Sequence, residues 1–230
     1  MILLTNDKLN PKLYNNNKLK DDVRQAILNI VSEFKEYLEI PINILDVRIV
    51  GSNASYNYTK KSDIDIHLIV NFDELSNNND LVQVLFNSKR KSFNNTFDII
   101  IKGLDAEIYV EDINTSAISN GIYSVLQNCW IKFPTKQNNN IKLSNIDELL
   151  NKYVSKIDTI FKQNDTVTLE EVTDIINNIY MLRKNSLSKS GEYGKGNLVF
   201  KQLRNLGYIE KLINLQNKLI SKELSLEHLK

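Results

Sequence analysis

Two aspartates open an otherwise apolar run, Ser62-Asp63-Ile64-Asp65-Ile66-His67-Leu68-Ile69-Val70. In an extended strand, residues two apart share a face. Asp63 and Asp65 therefore project side by side, while Ile64 and Ile66 face the other way, into a core. Adjacent carboxylates repel each other unless a cation lies between them. Paired hard oxygen donors are what Mg²⁺ takes when it also carries a substrate's phosphates. Upstream, Gly51-Ser52 follows an apolar strand, Val47-Arg48-Ile49-Val50. Glycine permits close backbone approach to a phosphate, and a serine hydroxyl with exposed N–H groups can donate to its oxygens. Taken singly, Gly-Ser is a common turn and Asp-x-Asp a solvated strand edge. Acidic residues are poor strand formers, however, so a pair at the start of a strand asks for a reason.

A two-cation cluster needs a third carboxylate. Over 105–111, Asp105, Glu107, Tyr109 and Glu111 alternate with Ala106, Ile108 and Val110. Glu107 sits near mid-strand between apolar neighbours and is the expected ligand; Asp105, closer to the turn, is the reserve. The ordinary alternative is an outward-facing strand residue. His67 shares the Asp65 face. It is expected to support a carboxylate or contact substrate, or else to be a half-buried histidine with a satisfied ring.

In this order the residues resemble the polymerase-β-like nucleotidyltransferase superfamily: Gly51-Ser52, then Asp63 and Asp65 one strand later, then Glu107 on a neighbouring strand. The resemblance covers roughly residues 45–112. The longer run from Gly51 to Tyr58 with Ser62 to His67 is similar to uncharacterised nucleotidyltransferase-like proteins of the kind large tailed phages encode. So are Gly191-Glu192-Tyr193, Asn197-Leu198-Val199-Phe200-Lys201 and Leu203-Arg204. One departure is that the third acid is Glu, where many members of the superfamily carry Asp.

The resemblance implies that Asp63 and Asp65 hold the cation that carries a nucleoside triphosphate. Asp65 and Glu107 would help hold a second cation that activates an acceptor hydroxyl, with Gly51 and Ser52 at the triphosphate tail. Two Mg²⁺ ions, with Mn²⁺ as a substitute, would sit about 3.5–4 Å apart and clamp the attacking and leaving oxygens of an in-line displacement. The implied enzyme transfers a nucleoside monophosphate from an NTP to a hydroxyl of RNA, a nucleotide, a small molecule or a protein, and releases pyrophosphate. The alternative left open is a catalytically silent nucleotide- or RNA-binding module acting on a host factor. The sequence singles out no acceptor, no base and no oligomeric state.

Cations for the phosphates are expected from Lys60, Arg183 and Lys201. Arg183, Lys184, Lys189, Lys195, Lys201 and Arg204 fall in a stretch with a single acid, Glu192; a solvated helix surface is the plain alternative. Gly191 and Gly194-Lys195-Gly196 predict a mobile loop between two helices. Tyr56, Tyr58 and Tyr193 are candidates for base stacking, although aromatics more often pack, and Trp130 reads as core.

The elements that must position these residues follow from composition and period. The chain has 230 residues, 42% hydrophobic and 25% charged, as a folded domain or two would have. The net charge of +1 gives no global electrostatic case for nucleic-acid binding. Cys129 is the only cysteine, which excludes an intrachain disulfide and argues against a cysteine-based zinc site. Met1-Ile2-Leu3-Leu4 is too short for a signal-peptide core, and no apolar run reaches membrane-span length. A cytoplasmic protein is expected, in the host cell if phage-encoded, with no membrane partner.

Residues 5–19 read as a loose polar arm. Asp21–Leu38 has helical spacing, with Asp21 or Asp22 as cap and Pro41 as stop. Strands are expected at 47–50 and 63–70, a helix at 81–86, and a hairpin of 98–102 with 106–110 about Gly103. A short pair follows at 123–126 and 129–131. Phe133-Pro134 and Gln137-Asn138-Asn139-Asn140 read as a linker, after which four helical patterns run to the end. The expected fold is α+β: a mixed-sheet nucleotidyltransferase domain with its N-terminal helix over 1–136, an α-helical domain over 141–230, and the site in a cleft between them.

Overall fold

The computed structural model describes residues 6–115, 119–136, 143–163 and 166–225, so the expected linker at 137–140 lies outside the described residues. The chain divides into two compact units, Met1–Asn138 and Asn139–Lys230. The class is the expected α+β, with a mixed sheet in the first unit and helices in the second.

The first unit runs β1 (Tyr14–Asn15), β2 (Lys18–Leu19), α1 (Asp21–Leu38), β3 (Ile44–Val50), β4 (Ile64–Val70), α2 (Asn79–Thr96), β5 (Ile100–Ile101), β6 (Leu104–Asp112), β7 (Ile122–Ser124) and β8 (Cys129–Lys132). Six of these strands form one sheet in the order β5-β6-β4-β3-β7-β8. Among the described strands only β4 and β6 run parallel, and α2 makes the crossover between them. A parallel pair needs such a long connection, whereas its antiparallel neighbours do not.

One face of the sheet is apolar: Val47, Ile49, Ile64, Ile66, Leu68, Ala106, Ile108 and Val110 are all buried. Against it lie Val23, Ile27, Val31, Phe34 and Leu38 of α1, with Val82, Phe86 and Phe93 of α2. The opposite face carries the residues between them, including Arg48, Asp65, His67, Glu107, Tyr109 and Glu111.

Several sequence expectations change. Residues 6–19 are not a loose arm, since Leu9, Leu13, Tyr14 and Leu19 join the core and β1 pairs with β2. Asn16 and Asn17 both take positive φ, 46° and 63°, and close that hairpin. Asparagine tolerates this conformation, which a two-residue hairpin turn requires. Lys102 and Gly103 do the same between β5 and β6. Trp130 is only half-buried; it stacks on Tyr14 and donates its Nε1–H to the Asn17 carbonyl at 2.6 Å. The cap of α1 is Lys20, with Asp21 and Asp22 in the first turn, where they complement the helix dipole. The helix ends at Glu39 in a left-handed conformation, before Pro41 is reached. Helix α2 extends well past 86 and takes Lys89-Arg90-Lys91 into its body. Only three of its residues are buried, which is why helical period is faint there.

The second unit comprises α3 (Leu143–Lys162), α4 (Leu169–Ser190), α5 (Lys195–Asn205) and α6 (Tyr208–Leu224). Thr168 and Glu171 form a reciprocal capping box at the start of α4. The expected loop at 191–196 is instead a 3₁₀ turn, Gly191–Tyr193, leading straight into α5. Two of its glycines, Gly194 and Gly196, serve close packing. A Cβ at Gly194 would crowd the Ser186 carbonyl at 2.8 Å, and one at Gly196 the Leu182 carbonyl at 2.6 Å. Among the described residues no helix is long and apolar enough to cross a membrane.

Phe86 is fully buried and secures α2 to the sheet. Phe86→Ala is expected to lower unfolding free energy by about 3–5 kcal/mol, measured by urea denaturation. An unchanged midpoint would contradict this packing.

Candidate active site

The register of β4 builds the site. Antiparallel pairing sets Val50 beside Asp65 and Arg48 beside His67. Parallel pairing on the other edge sets Asp65 beside Glu107, His67 beside Tyr109 and Ile69 beside Glu111. Neighbouring strands lie about 4.8 Å apart, so Asp65 and Glu107 arise from adjacent points on one face. Asp63, one residue before β4, shares the phase of Asp65, and both are half-buried. The β4–β6 ladder begins at Ile64 with Ala106. Asp105 therefore falls outside it, exposed and paired instead with Ile100 of β5, and Glu107 is the acid in register with Asp65.

The turn between β3 and β4 is fixed by residues that carry no charge. Gly51 has φ 69°, and a Cβ there would collide with Oδ2 of Asp65. Its own N–H donates to Ser119 Oγ at 3.2 Å. The part of Gly51 is thus the space it leaves for the carboxylate, and its N–H is turned to Ser119. Ser52 opens the 3₁₀ turn Ser52–Ala54 and is half-buried. Asn53 is fully buried. Its Nδ2 donates to the carbonyls of Ser62 at 3.1 Å and Asp63 at 2.7 Å, and its Oδ1 accepts from Asn10 Nδ2 at 2.8 Å. One amide thereby ties the turn after β3 to the chain entering β4.

Around Glu107 the polar face is a connected network. The Tyr109 hydroxyl donates to Glu107 Oε2 at 2.6 Å. Burial pushes the Tyr109 phenol well above its ordinary range, helped by the bond to Glu107 and the charges of Glu107 and Asp65; Arg90 opposes. The phenol therefore stays a donor. His67 stacks on the Tyr109 ring and pairs through Nδ1 with Glu111 Oε2 at 2.9 Å. It supports a carboxylate, as one of its expected roles had it, though that carboxylate is Glu111. Arg48 is bound to buried Asp46 through Nε at 3.0 Å.

Lys60 lies exposed in the turn Thr59–Ser62, just before Asp63. Arg183 and Lys201 belong to the second unit, on α4 and α5, where the Arg183 guanidinium lies 4.4 Å from the Phe200 ring centroid. Tyr56 and Tyr193 are buried, as packing residues are. Sequence reasoning passes over Asn53, Ser119, Tyr109 and Arg90. In a chain so rich in asparagine, one structural amide has no signal of its own, and the partner of Tyr109 depends on its rotamer.

Among the described residues no three acidic, histidine or cysteine side chains close on a single point as a metal group. The donor set nonetheless suits a hard divalent cation. Mg²⁺ is commonly held by one or two carboxylates, with substrate phosphates and water completing its shell. Asp63 and Asp65 would provide the two, the second in space that a side chain at position 51 would fill.

No family model matches the chain, and no curated protein matches it. Among solved structures, the STING-associated CdnE c-di-GMP synthase from Capnocytophaga granulosa aligns over 90% of this chain and 84% of its own, at 12% identity and a TM-score of 0.24. A likeness that loose carries no argument about function.

Asn53→Ala removes three hydrogen bonds and leaves the Asp63 carbonyl and Asn10 amide without this partner. A loss of about 2–4 kcal/mol of stability is expected, with faster amide exchange at residues 62–65; unaltered exchange there would exclude the tethering role.

Proposed function

We propose that the protein is a Mg²⁺-dependent nucleotidyltransferase that moves a nucleoside monophosphate from an NTP to a hydroxyl acceptor. The observation that carries the reading is the pairing of Asp65 with Glu107 across β4 and β6, with Asp63 on the same face and the Gly51-Ser52 turn packed on the Asp65 carboxylate. Asp63 and Asp65 would hold the nucleotide-bearing cation, and Asp65 with Glu107 a second; Mn²⁺ would serve in place of Mg²⁺. Such ions neutralise phosphate charge and lower the pKa of an attacking hydroxyl. The chain's own residues supply placement: Ser52 would donate to the phosphate tail, and Lys60 would add a cationic contact. Positioning and charge neutralisation supply most of the catalysis in phosphoryl transfer. The acceptor would be RNA, a nucleotide, a protein or a small molecule.

A second reading, nucleotide binding without transfer, is favoured by the Tyr109 hydroxyl on Glu107. A salt bridge from Lys102 to Glu107 would also favour it, but Lys102 pairs with Asp22 instead.

The test is incubation of the protein with α-labelled NTPs, Mg²⁺ and cell lysate, beside calorimetric titration of Mg²⁺-NTP. Wild type is expected to label a product and bind nucleotide, and Asp63→Ala/Asp65→Ala to do neither. Binding without label supports the second reading. Indistinguishable binding by wild type and the double variant would sink both.

A further inference from the structure

Tyr109 lies on β6 two residues beyond Glu107, on the same face, and its hydroxyl donates a hydrogen bond to Oε2 of that carboxylate at 2.6 Å. The length is that of a charge-assisted bond, roughly twice as strong as a neutral one. The ring is fixed from two other elements. His67 of β4 stacks on it, with centroids 4.9 Å apart and planes at 26°, and is itself bonded to Glu111. The Arg90 guanidinium of α2 lies 4.4 Å from the ring centroid, and its Nε donates to Asn87 Oδ1. Residues of β4, β6 and α2 thus aim one O–H at one carboxylate.

The identity of the acid at 107 bears on this. Residues two apart in a strand are separated by roughly 6.5–7 Å at Cα. Aspartate would fall one methylene short of the reach glutamate has, so glutamate is the acid that makes the bond to Tyr109. A cation drawn to Oε2 of Glu107 must compete there with the hydrogen bond that the oxygen already accepts.

We propose that Tyr109 is a positioning residue: it keeps Oε2 of Glu107 as its own hydrogen-bond acceptor and so lowers the cation affinity of the carboxylate face, that oxygen becoming a full ligand only when its bond to the hydroxyl is broken. This rests on the nucleotidyltransferase reading. On that reading Asp63 and Asp65 load first. Glu107 would join once nucleotide phosphates add their charge.

Mn²⁺ uptake by the full chain, read from loss of the free-ion electron paramagnetic resonance signal at fixed pH, tests the proposal. Tyr109→Phe keeps the clamped ring and removes only the hydroxyl. It is expected to bind Mn²⁺ about tenfold more tightly, the effect of losing one hydrogen bond to a charged group. Glu107→Asp breaks the same bond from the other side and is expected to gain likewise, which covers a poorly folding Tyr109→Phe. The gain should vanish in Tyr109→Phe/Glu107→Gln, as a double-mutant cycle requires of a coupled pair. Unchanged affinity in Tyr109→Phe means that the hydroxyl only packs, and weaker affinity means that it orients Glu107 for the cation. Either result, or a gain that survives Glu107→Gln, overturns the proposal. If wild type binds through Asp63 and Asp65 and Tyr109→Phe is no tighter, the Tyr109 proposal falls alone. If neither wild type nor Tyr109→Phe takes up Mn²⁺, the metal-site reading falls with it.

Discussion

Burial of Ile64, Ile66 and Leu68 fixes the phase of β4. Each such side chain removed from water stabilises the fold by about 1.5–3 kcal/mol. A slip of one residue would turn all three to the other face and drive Asp65 and His67 into the core. The aliphatic residues thus hold two acids in a strand that acids by themselves disfavour. Because β4 is paired on both edges, its phase also fixes who stands beside Asp65: Val50 on one side, Glu107 on the other. The chemistry of the polar face is a by-product of packing on the apolar one.

That face concentrates negative charge, and the structure answers it locally. Glu107 takes a proton donor from Tyr109, Glu111 an imidazole from His67, and buried Asp46 the guanidinium of Arg48 with the Ser124 hydroxyl. Arg90 contributes from α2 through the Tyr109 ring. The net charge of the whole chain, +1, says nothing of this arrangement. Local pairing decides it.

How much of this is legible in the sequence depends on period. Acids alternating with aliphatics over 63–70 and 105–111 announce two strands with one buried face, because period two is unambiguous there. Helices α1 and α3 to α6 show their apolar stripes for the same reason. Asp105 and Glu107 share a phase, however, and only the parallel register separates them as neighbours of Asp65. The N-terminal segment misleads because its apolar residues obey no single period, while Asn16 and Asn17 look like filler and are in fact the turn. Asn53 is hidden in the same crowd, although its amide bonds two backbone carbonyls and a second asparagine. At 191–196 glycine suggests freedom, whereas Gly194 and Gly196 allow backbone contact between α4 and α5.

The tethering of the N-terminal segment bears on the order in which the site can mature. Asn6 bonds to the carbonyls of Tyr56 and Tyr58, and Asn10 to Asn53, so the turn before Asp63 leans on chain made some 43 to 52 residues earlier. That chain is in turn held by later residues: the Leu19 N–H donates to the Tyr123 hydroxyl, 104 positions on, and Trp130 reaches back to Asn17. Contacts of such separation form slowly, because loop-closure entropy must be overcome first. During synthesis the earliest segment therefore waits for β7 and β8 to emerge before it can settle. A chain carrying both aspartates but halted short of Tyr123 has the acids, while the segment that braces their approach still lacks its own two anchors.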